Sequence, residues 1–194
     1  MRIAVIGTGN IGSTLGAAWA RAGHEVVLGS RHPGQIDPPH GATVAKIADA
    51  LAGADAVLLA VPAGAVDDVL SEHAAALAGP LVIDATNNLR DPVANAHRPI
   101  VAAVPGVRYV RAFNSLGWEN FAEPEFDGGP ADLFFATADT ADRAATEELI
   151  TAVGLRPVYL GAGKQDAVDH ALPLWIALMQ ERGTRRIAFR VLEK

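Results

Sequence analysis

The residues with the clearest potential for chemistry are the glycines of the run Gly7-Thr8-Gly9-Asn10-Ile11-Gly12. The run follows a short apolar segment, Arg2–Ile6, and opens a segment with helical spacing. In that context Gly7 permits a tight turn, Gly9 lets the backbone approach a pyrophosphate, and Gly12 lets helix and strand pack closely. Unpaired N–H groups at the helix N-terminus favour the phosphate charge. The spacing predicts a dinucleotide-binding loop, and the alternative is a glycine turn that binds nothing.

The tip of the next predicted strand indicates which dinucleotide binds. Sites for NAD usually carry Asp or Glu at this point, where the carboxylate accepts hydrogen bonds from the ribose 2′-OH. Here the strand is followed by Ser30-Arg31-His32, and no carboxylate stands at its tip. The guanidinium of Arg31 is a fork of N–H donors that fits a phosphate. The three residues therefore predict binding of the 2′-phosphate of NADP(H), and the alternative is an ordinary exposed Ser-Arg pair.

The ends of the other central strands carry small, neutral or amide side chains. In an open α/β sheet, the ligand lies outside the carboxyl ends of the strands. None of the residues there is an obvious general acid or base, so we expect them to hold flat ligands by backbone and amide groups. The alternatives are that Pro62 only ends a strand and that Asn87 and Asn114 are left-handed turn residues. The candidate contacts are Ala60, Val61, Pro62, Thr86, Asn87 and Asn114.

Short β-branched runs alternate along the chain with longer Ala- and Leu-rich segments of helical spacing. This alternation predicts an α/β fold of the Rossmann type, with a doubly wound, mostly parallel sheet and a short C-terminal helical tail. The expected strands are Arg2–Ile6, Glu25–Gly29, Ala56–Val61, Leu81–Asp84, Arg108–Phe113, Leu133–Ala136 and Pro157–Leu160. The expected helices are Ile11–Ala22, Val44–Leu51, Val66–Leu77, Ala141–Val153 and about Ala167 to Leu192. We expect the segment from Glu119 to Pro130 to be irregular.

Composition narrows the class of protein. The 194 residues, 50% of them hydrophobic and 20% charged, suit one compact soluble domain. The net charge of −6 argues against nucleic acid as a partner. The absence of cysteine excludes disulfides, thiolate metal sites and a cysteine nucleophile. No apolar run approaches the roughly 20 residues of a membrane span, and no signal peptide is recognisable, so we expect a cytoplasmic protein.

A cluster of Asp166, Asp169 and His170 is the nearest approach to a metal site in the sequence. Two or three such groups on neighbouring helical turns are too few ligands for a stable site. We therefore expect no bound metal, and we interpret the cluster as a solvated group of charges at the start of a helix.

Several segments together resemble the coenzyme F420-dependent NADP oxidoreductase family, over essentially the whole chain. They are Ile3–Gly12, Gly29-Ser30-Arg31, Ile83–Asn87, Arg111–Ser115, Gly117–Phe121 and, similar to the family's terminal helix, Arg186–Leu192. The first of these is shared by many dehydrogenases, whereas Ala112-Phe113-Asn114 and the segment around Trp118 are more specific. One departure is Pro33-Gly34-Gln35, because well-studied members carry another basic residue there.

The resemblance implies hydride exchange between NADP(H) and a deazaflavin in a homodimer, with Thr8, Ser30 and Arg31 around the phosphates. Because relatives include flavin reductases, we predict an oxidoreductase that passes a hydride between NADP(H) and coenzyme F420 or a flavin by direct stacking. No side chain is expected to be indispensable for chemistry; Asn114 and His170 are the weak candidates. The alternatives are a reductase of imines or hydroxyacids, which usually needs more than the 34 residues after Leu160, and a non-catalytic NADP(H) sensor.

We expect residues 1–162 to form the NADP-binding Rossmann domain. Residues 163–194 are expected to form a helical segment that completes the second-ligand site and the dimer interface. The apolar residues of this tail exceed what one face of a short helix needs. They are Trp175, Ile176, Leu178, Met179 and Ile187.

Overall fold

The computed structural model describes residues 1–192 and 194, and it consists of one large sheet covered by helices on both faces. The strands are β1 (Arg2–Ile6), β2 (Glu25–Ser30), β3 (Thr43–Lys46), β4 (Ala56–Leu59), β5 (Leu81–Asp84), β6 (Arg108–Arg111), β7 (Glu125–Phe126), β8 (Gly129–Pro130), β9 (Asp132–Thr137) and β10 (Arg156–Tyr159). Eight of them form the sheet β10-β9-β6-β5-β4-β1-β2-β3, and β7 pairs with β8 in a separate hairpin. All pairs in the sheet are parallel except β6 with β9. The predicted Rossmann-type fold is confirmed.

Helices connect the strands and cover the sheet. They are α1 (Asn10–Arg21), α2 (Ile47–Leu51), α3 (Val66–His73), α4 (His97–Ala103), α5 (Glu119–Ala122), α6 (Thr140–Ala152), α7 (Gln165–Asp169) and α8 (Ala171–Arg182). Three short 3-10 turns lie at Pro33–Gln35, Ala63–Ala65 and Ala74–Leu77. Within the described part of the chain, no helix has both the length and the apolar character needed to cross a bilayer.

The centre of the sheet is buried on both faces, which explains its nearly continuous apolar strands. Alternate residues of β1 enter opposite cores: Ile3 and Val5 pack with Trp19 on one face, and Ala4 and Ile6 pack with α3 on the other. These four residues of β1 are fully buried. This packing holds the carboxyl end of β1, and with it the glycine run, at a fixed position.

The sequence prediction of a helix over Val44–Leu51 is wrong in its first half. Residues Thr43–Lys46 form the edge strand β3, which pairs in parallel with Val27–Ser30, and the helix begins only at Ile47. Local propensity did not indicate this strand because its hydrogen-bond partner lies far away in sequence. The predicted strands β4 and β6 are each two residues too long, since the chain leaves the sheet at Ala60 and at Ala112.

The C-terminal prediction of one helix over about Ala167 to Leu192 is also wrong. Helix α8 ends at Arg182, and Gly183 after it has the left-handed conformation (φ 64°) that commonly ends helices. Residues 184–192 form no helix and run beside the start of β9, where Phe189 bridges Asp132 in antiparallel fashion. The segment Arg186–Leu192 is therefore no terminal helix in this protein. The region predicted as irregular, Glu119 to Pro130, contains α5 and the β7–β8 hairpin.

Candidate active site

A cavity of about 1000 Å³ opens along the carboxyl ends of β1, β2, β4, β5 and β6. It brings together most of the residues that the sequence singled out. Those that line it are Gly7, Thr8, Gly9, Asn10, Ile11, Ser30, Arg31, His32, Ala60, Val61, Pro62, Asn87 and Asn114. Gly12, Thr86 and His170 are not among the lining residues. This cavity thus coincides with the predicted site.

The glycine run has the local geometry that its spacing predicts. Gly7 has a positive φ of 115°, and a Cβ on it would clash with the carbonyl of Ala60. A Cβ on Gly12 would clash with the carbonyl of Gly7, whereas one on Gly9 would meet open space. Helix α1 begins after Gly9, and no side chain caps its N-terminus. The first N–H groups of the helix, at the cavity, therefore have no capping partner. The loop can receive a phosphate in the way the sequence predicted.

Substitutions at Gly9 and Gly12 separate the effect on dinucleotide binding from the effect on stability. Gly9→Ala should leave the free energy of unfolding nearly unchanged but weaken dinucleotide binding at least tenfold, because the methyl group occupies the approach to the backbone. Gly12→Ala should destabilise the protein by about 1–3 kcal/mol, the usual range for forced overpacking. Urea unfolding and calorimetric titration with NADPH would measure both effects. If Gly9→Ala bound NADPH as tightly as the parent, the loop would not be the phosphate site.

The turn after β2 offers hydrogen-bond donors to the cavity. The backbone N–H of His32 donates to Ser30 Oγ at 3.0 Å, which fixes the turn and leaves the hydroxyl proton available to a ligand. Arg31 is exposed and forms no ion pair with any described residue. A cation without a protein partner beside this cavity suits an anionic ligand group.

A fully buried arginine, which the sequence analysis missed as a functional residue, organises the ends of β5 and β6. The guanidinium of Arg111 donates from Nε to Asp169 Oδ1 at 2.6 Å and from Nη2 to Asn87 Oδ1 at 3.0 Å. Its Nη1 donates to the carbonyls of Asp84 at 3.0 Å and Thr86 at 2.6 Å. Arg111 thereby fixes the cavity wall at Asn87 from the side that faces away from the cavity.

Asp84 completes the support of this wall. Its Oδ1 accepts hydrogen bonds from the backbone N–H of Thr86 at 2.9 Å and from the Thr86 hydroxyl at 2.6 Å. Its Oδ2 accepts from Ala96 N–H and from the Tyr109 hydroxyl, each at 2.8 Å. Burial raises the pKa of Tyr109 well above its ordinary value, and the Asp84 charge raises it further, so the phenol remains a donor. Thr86 lies in this support with 2% of its surface exposed, rather than in the cavity wall.

The interpretation of Asp166, Asp169 and His170 as a solvated cluster is wrong for Asp169. Asp169 is buried and receives hydrogen bonds from Arg111, from Asn95 Nδ2 at 2.7 Å and from Asn114 Nδ2 at 3.1 Å. His170 is exposed and lies outside the cavity. The local sequence around Asp169 could not predict that this residue is buried in an ion pair, because its partner Arg111 is 58 residues away in sequence.

The backbone is strained immediately before Asn114. Phe113 has a positive φ of 60°, the sole such value among the non-glycine residues described. Its buried ring makes edge contacts with Trp19 at 5.6 Å and Phe121 at 5.8 Å between centroids, and this packing holds the conformation. Strain of this kind costs about 1–3 kcal/mol and is concentrated at functional sites. The left-handed turn residue is therefore Phe113, whereas Asn87 and Asn114, the alternative candidates, have ordinary φ values.

The far half of the cavity is apolar and aromatic. Its walls come from the loop before α5 and from α8, with Leu116, Trp118, Leu172, Trp175, Ile176 and Met179. Arg185 lies at this end, where its guanidinium stands 5.3 Å from the Trp175 ring and its Nε donates to Glu119 Oε1 at 2.5 Å. Burial raises the pKa of Glu119, but the hydrogen bond from Arg185, a backbone hydrogen bond and the charges of Arg185 and Arg186 together lower the pKa below its ordinary value. Trp175 and Met179, which the sequence analysis placed in the C-terminal segment, therefore line the cavity.

The sheet is doubly wound, and the glycine turn that leads into the uncapped helix α1 lines the cavity. These two features define a dinucleotide-binding protein of the Rossmann type. Residues 2–88 match the family described as NADP oxidoreductase coenzyme F420-dependent. The predicted resemblance to that family is thus confirmed.

Several solved structures are also similar to this chain. A candidate F420-dependent NADP reductase from Arthrobacter sp. FB24 is 28% identical, with a TM-score of 0.87 and 100% of each chain covered. A hypothetical protein from Sinorhizobium meliloti is 26% identical, with a TM-score of 0.74 over 100% of this chain and 96% of that one. A reductive aminase from Aspergillus terreus, in complex with NADPH, is 20% identical with a TM-score of 0.68. The match covers 94% of this chain but 62% of the aminase, and it shows a shared fold.

Proposed function

We propose that this protein is an oxidoreductase that transfers a hydride between NADP(H) and a second flat redox ring, a deazaflavin of the coenzyme F420 type or a flavin. The observation that carries the proposal is the continuity of the cavity. One end holds an uncapped helix N-terminus and an unpaired arginine, and the other end is an aromatic compartment. The two ends meet at Pro62, Asn87 and Asn114, where the nicotinamide and the second ring would lie together.

NADP(H) would occupy the first end. The glycine run would receive the pyrophosphate, and Ser30, Arg31 and His32 would receive the 2′-phosphate. The departure at Pro33-Gly34-Gln35 leaves Arg31 as the strongest cation of this turn, with Gln35 also lining the cavity. Val61 and Pro62 would hold the nicotinamide side through their backbone.

The chain contributes position rather than proton transfer at the junction. Pro62, Asn87 and Asn114 carry no titratable group, and His170 lies outside the cavity. A bound NADPH would supply a hydride from its nicotinamide carbon, and the second ring would accept it at C5 of a deazaflavin or N5 of a flavin and take a proton from solvent on a ring nitrogen. Holding reactants in a near-attack geometry can remove about 7–11 kcal/mol of barrier. That contribution exceeds the roughly 10²–10⁴-fold that a general acid or base supplies.

An acceptor screen tests the proposed function. The purified protein is mixed with NADPH, and the loss of NADPH absorbance is followed with coenzyme F420, FMN, a quinone and a cyclic imine in separate reactions. We expect turnover with the deazaflavin or the flavin. Turnover with the imine alone would instead indicate an imine reductase, and binding of NADPH without turnover would indicate a sensor.

No single side chain should prove indispensable for the hydride step. His170→Ala and Asn114→Ala are each expected to slow it by at most about 100-fold, mostly through misplacement of the rings. Single-turnover measurements at saturating ligand separate this step from binding and product release. A loss above about 10⁴-fold in either variant, with both ligands bound, would show that the side chain takes part in the chemistry.

We propose that the segment 163–194 completes the second-ligand site and forms a homodimer interface. Helix α8 supplies Trp175 and Met179 to the cavity while leaving Leu174 54% exposed on another side. A second copy of the chain would cover that apolar surface. Light scattering at low micromolar concentration should therefore give about twice the protomer mass of 20.2 kDa. An active particle of one protomer mass would rule the dimer out as a requirement.

A further inference from the structure

Two asparagine side chains form the cavity wall where β5 and β6 end. Asn87 and Asn114 both line the cavity, and Asn87 Nδ2 donates to the backbone carbonyl of Asn114 at 2.9 Å. Behind the wall lie two buried charged groups, and each contacts one of the amides. Asn87 meets Arg111, and Asn114 meets Asp169.

The charged groups dictate which way each amide points. A guanidinium only donates hydrogen bonds, so Asn87 presents its Oδ1 to Arg111 Nη2, at 3.0 Å. An ionised carboxylate only accepts, so Asn114 presents its Nδ2 to Asp169 Oδ1, at 3.1 Å. Rotating either amide by half a turn would set donor against donor or acceptor against acceptor. The orientation of both amides therefore follows from chemistry.

This orientation leaves one donor and one acceptor available to a ligand. Asn87 Nδ2 uses one of its two hydrogens within the described structure, so the second N–H is uncommitted. Asn114 is 2% exposed, and its Oδ1 is buried without a hydrogen-bond partner among the described residues. A buried acceptor without a partner costs about 1–3 kcal/mol. A ligand that donates to this oxygen would remove the cost.

We propose that Asn87 and Asn114 together recognise an amide edge of the ligand, a carbonyl oxygen beside an N–H. Arg111 and Asp169 are the positioning residues that orient the two side chains. This inference rests on the proposed function, under which two ligands carry such an edge. One is the nicotinamide, through its carboxamide, and the other is the pyrimidine ring of a flavin or deazaflavin.

Ligands with a blocked N–H distinguish these sources. The first arm measures by calorimetry the dissociation constants of NADPH and of its reduced 3-acetylpyridine analogue, in which a methyl replaces the amide nitrogen. The second arm loads the protein with NADP⁺ and compares FMN with N3-methyl FMN. In one of the two arms, the parent protein should bind the ligand that lacks the N–H at least about tenfold more weakly than the unmodified ligand. This ratio is equivalent to about 1.4 kcal/mol.

Variants connect that preference to the residues. Asn114→Leu, of similar volume, should reduce the preference to within about threefold, and Asn114→Ala serves if the leucine variant does not fold. Asp169→Ala should do the same, because it leaves no carboxylate to dictate the orientation of Asn114, and Asn114→Leu alone decides if this variant does not fold. Asn95→Ala is the matched control, since Asn95 also donates to Asp169, at 2.7 Å, yet does not line the cavity. It should keep the parent preference, whereas general loosening of the fold would weaken both ligands alike.

Each outcome has a distinct meaning. A preference in either arm that Asn114→Leu and Asp169→Ala abolish supports the proposal and shows which ligand the two asparagines recognise. NADPH binding without preference in either arm overturns the proposal and leaves the proposed function standing, as does a preference that persists in both variants. Failure of the parent to bind NADPH at all overturns both.

Discussion

Replacement of Arg111 by methionine should lower the free energy of unfolding by about 3–5 kcal/mol, the range for removing one partner of a buried ion pair. The side chain of Arg111 is fully buried, and its guanidinium lies 2.6 Å from Asp169 and 3.3 Å from Asp84. Methionine fills similar space but leaves two buried carboxylates and two carbonyls without that donor. Urea unfolding, read from the midpoint at an unchanged slope, measures the loss.

A surface arginine provides the control for this substitution. Arg143 is 47% exposed and pairs with Glu147 one helical turn away, at 2.8 Å. Its guanidinium also lies 4.6 Å from the ring of Tyr159. Arg143→Met should therefore cost no more than about 1.5 kcal/mol. If Arg111→Met were as mild as Arg143→Met, the buried network would not hold the site together as described.

Replacement of Arg31 by alanine should weaken NADPH binding by roughly 10- to 150-fold, which corresponds to the loss of about 1.5–3 kcal/mol from a charged hydrogen bond. Arg31 lines the cavity and has no ion-pair partner among the described residues, so its charge is available to the 2′-phosphate. NADH lacks that phosphate, and its affinity should hardly change. Calorimetric titration of parent and variant with both nucleotides measures the difference.

Arg21→Ala is the matched control for Arg31→Ala. Arg21 ends α1, is exposed and does not line the cavity, and its removal changes the net charge by the same amount. It should leave NADPH affinity within about twofold of the parent, because exposed charges beyond a Debye length are largely screened. Equal affinities of the parent for NADPH and NADH would refute the assignment of the turn to the 2′-phosphate.

Local patterns were sufficient to predict the glycine turn, the central strands and the fold class. The glycine run, the strand before it and the helix after it are neighbours in sequence, and the clashes at Gly7 and Gly12 arise from residues that any such turn brings together. The strands β1 and β5 were predicted with correct bounds because buried parallel strands are continuous apolar runs. The absence of a carboxylate after β2 was also visible directly.

Local sequence patterns could not predict the contacts between segments that are distant in sequence. The strand β3 exists through its pairing with β2, and the C-terminal chain runs along Asp132 instead of forming a helix. The roles of Arg111 and Asp169 depend on a hydrogen bond that spans 58 residues. Local sequence describes a residue's own propensity and the side it shares with near neighbours. Which buried charge meets which, and therefore which way the cavity amides point, follows only when the packed sheet and α7 bring them together.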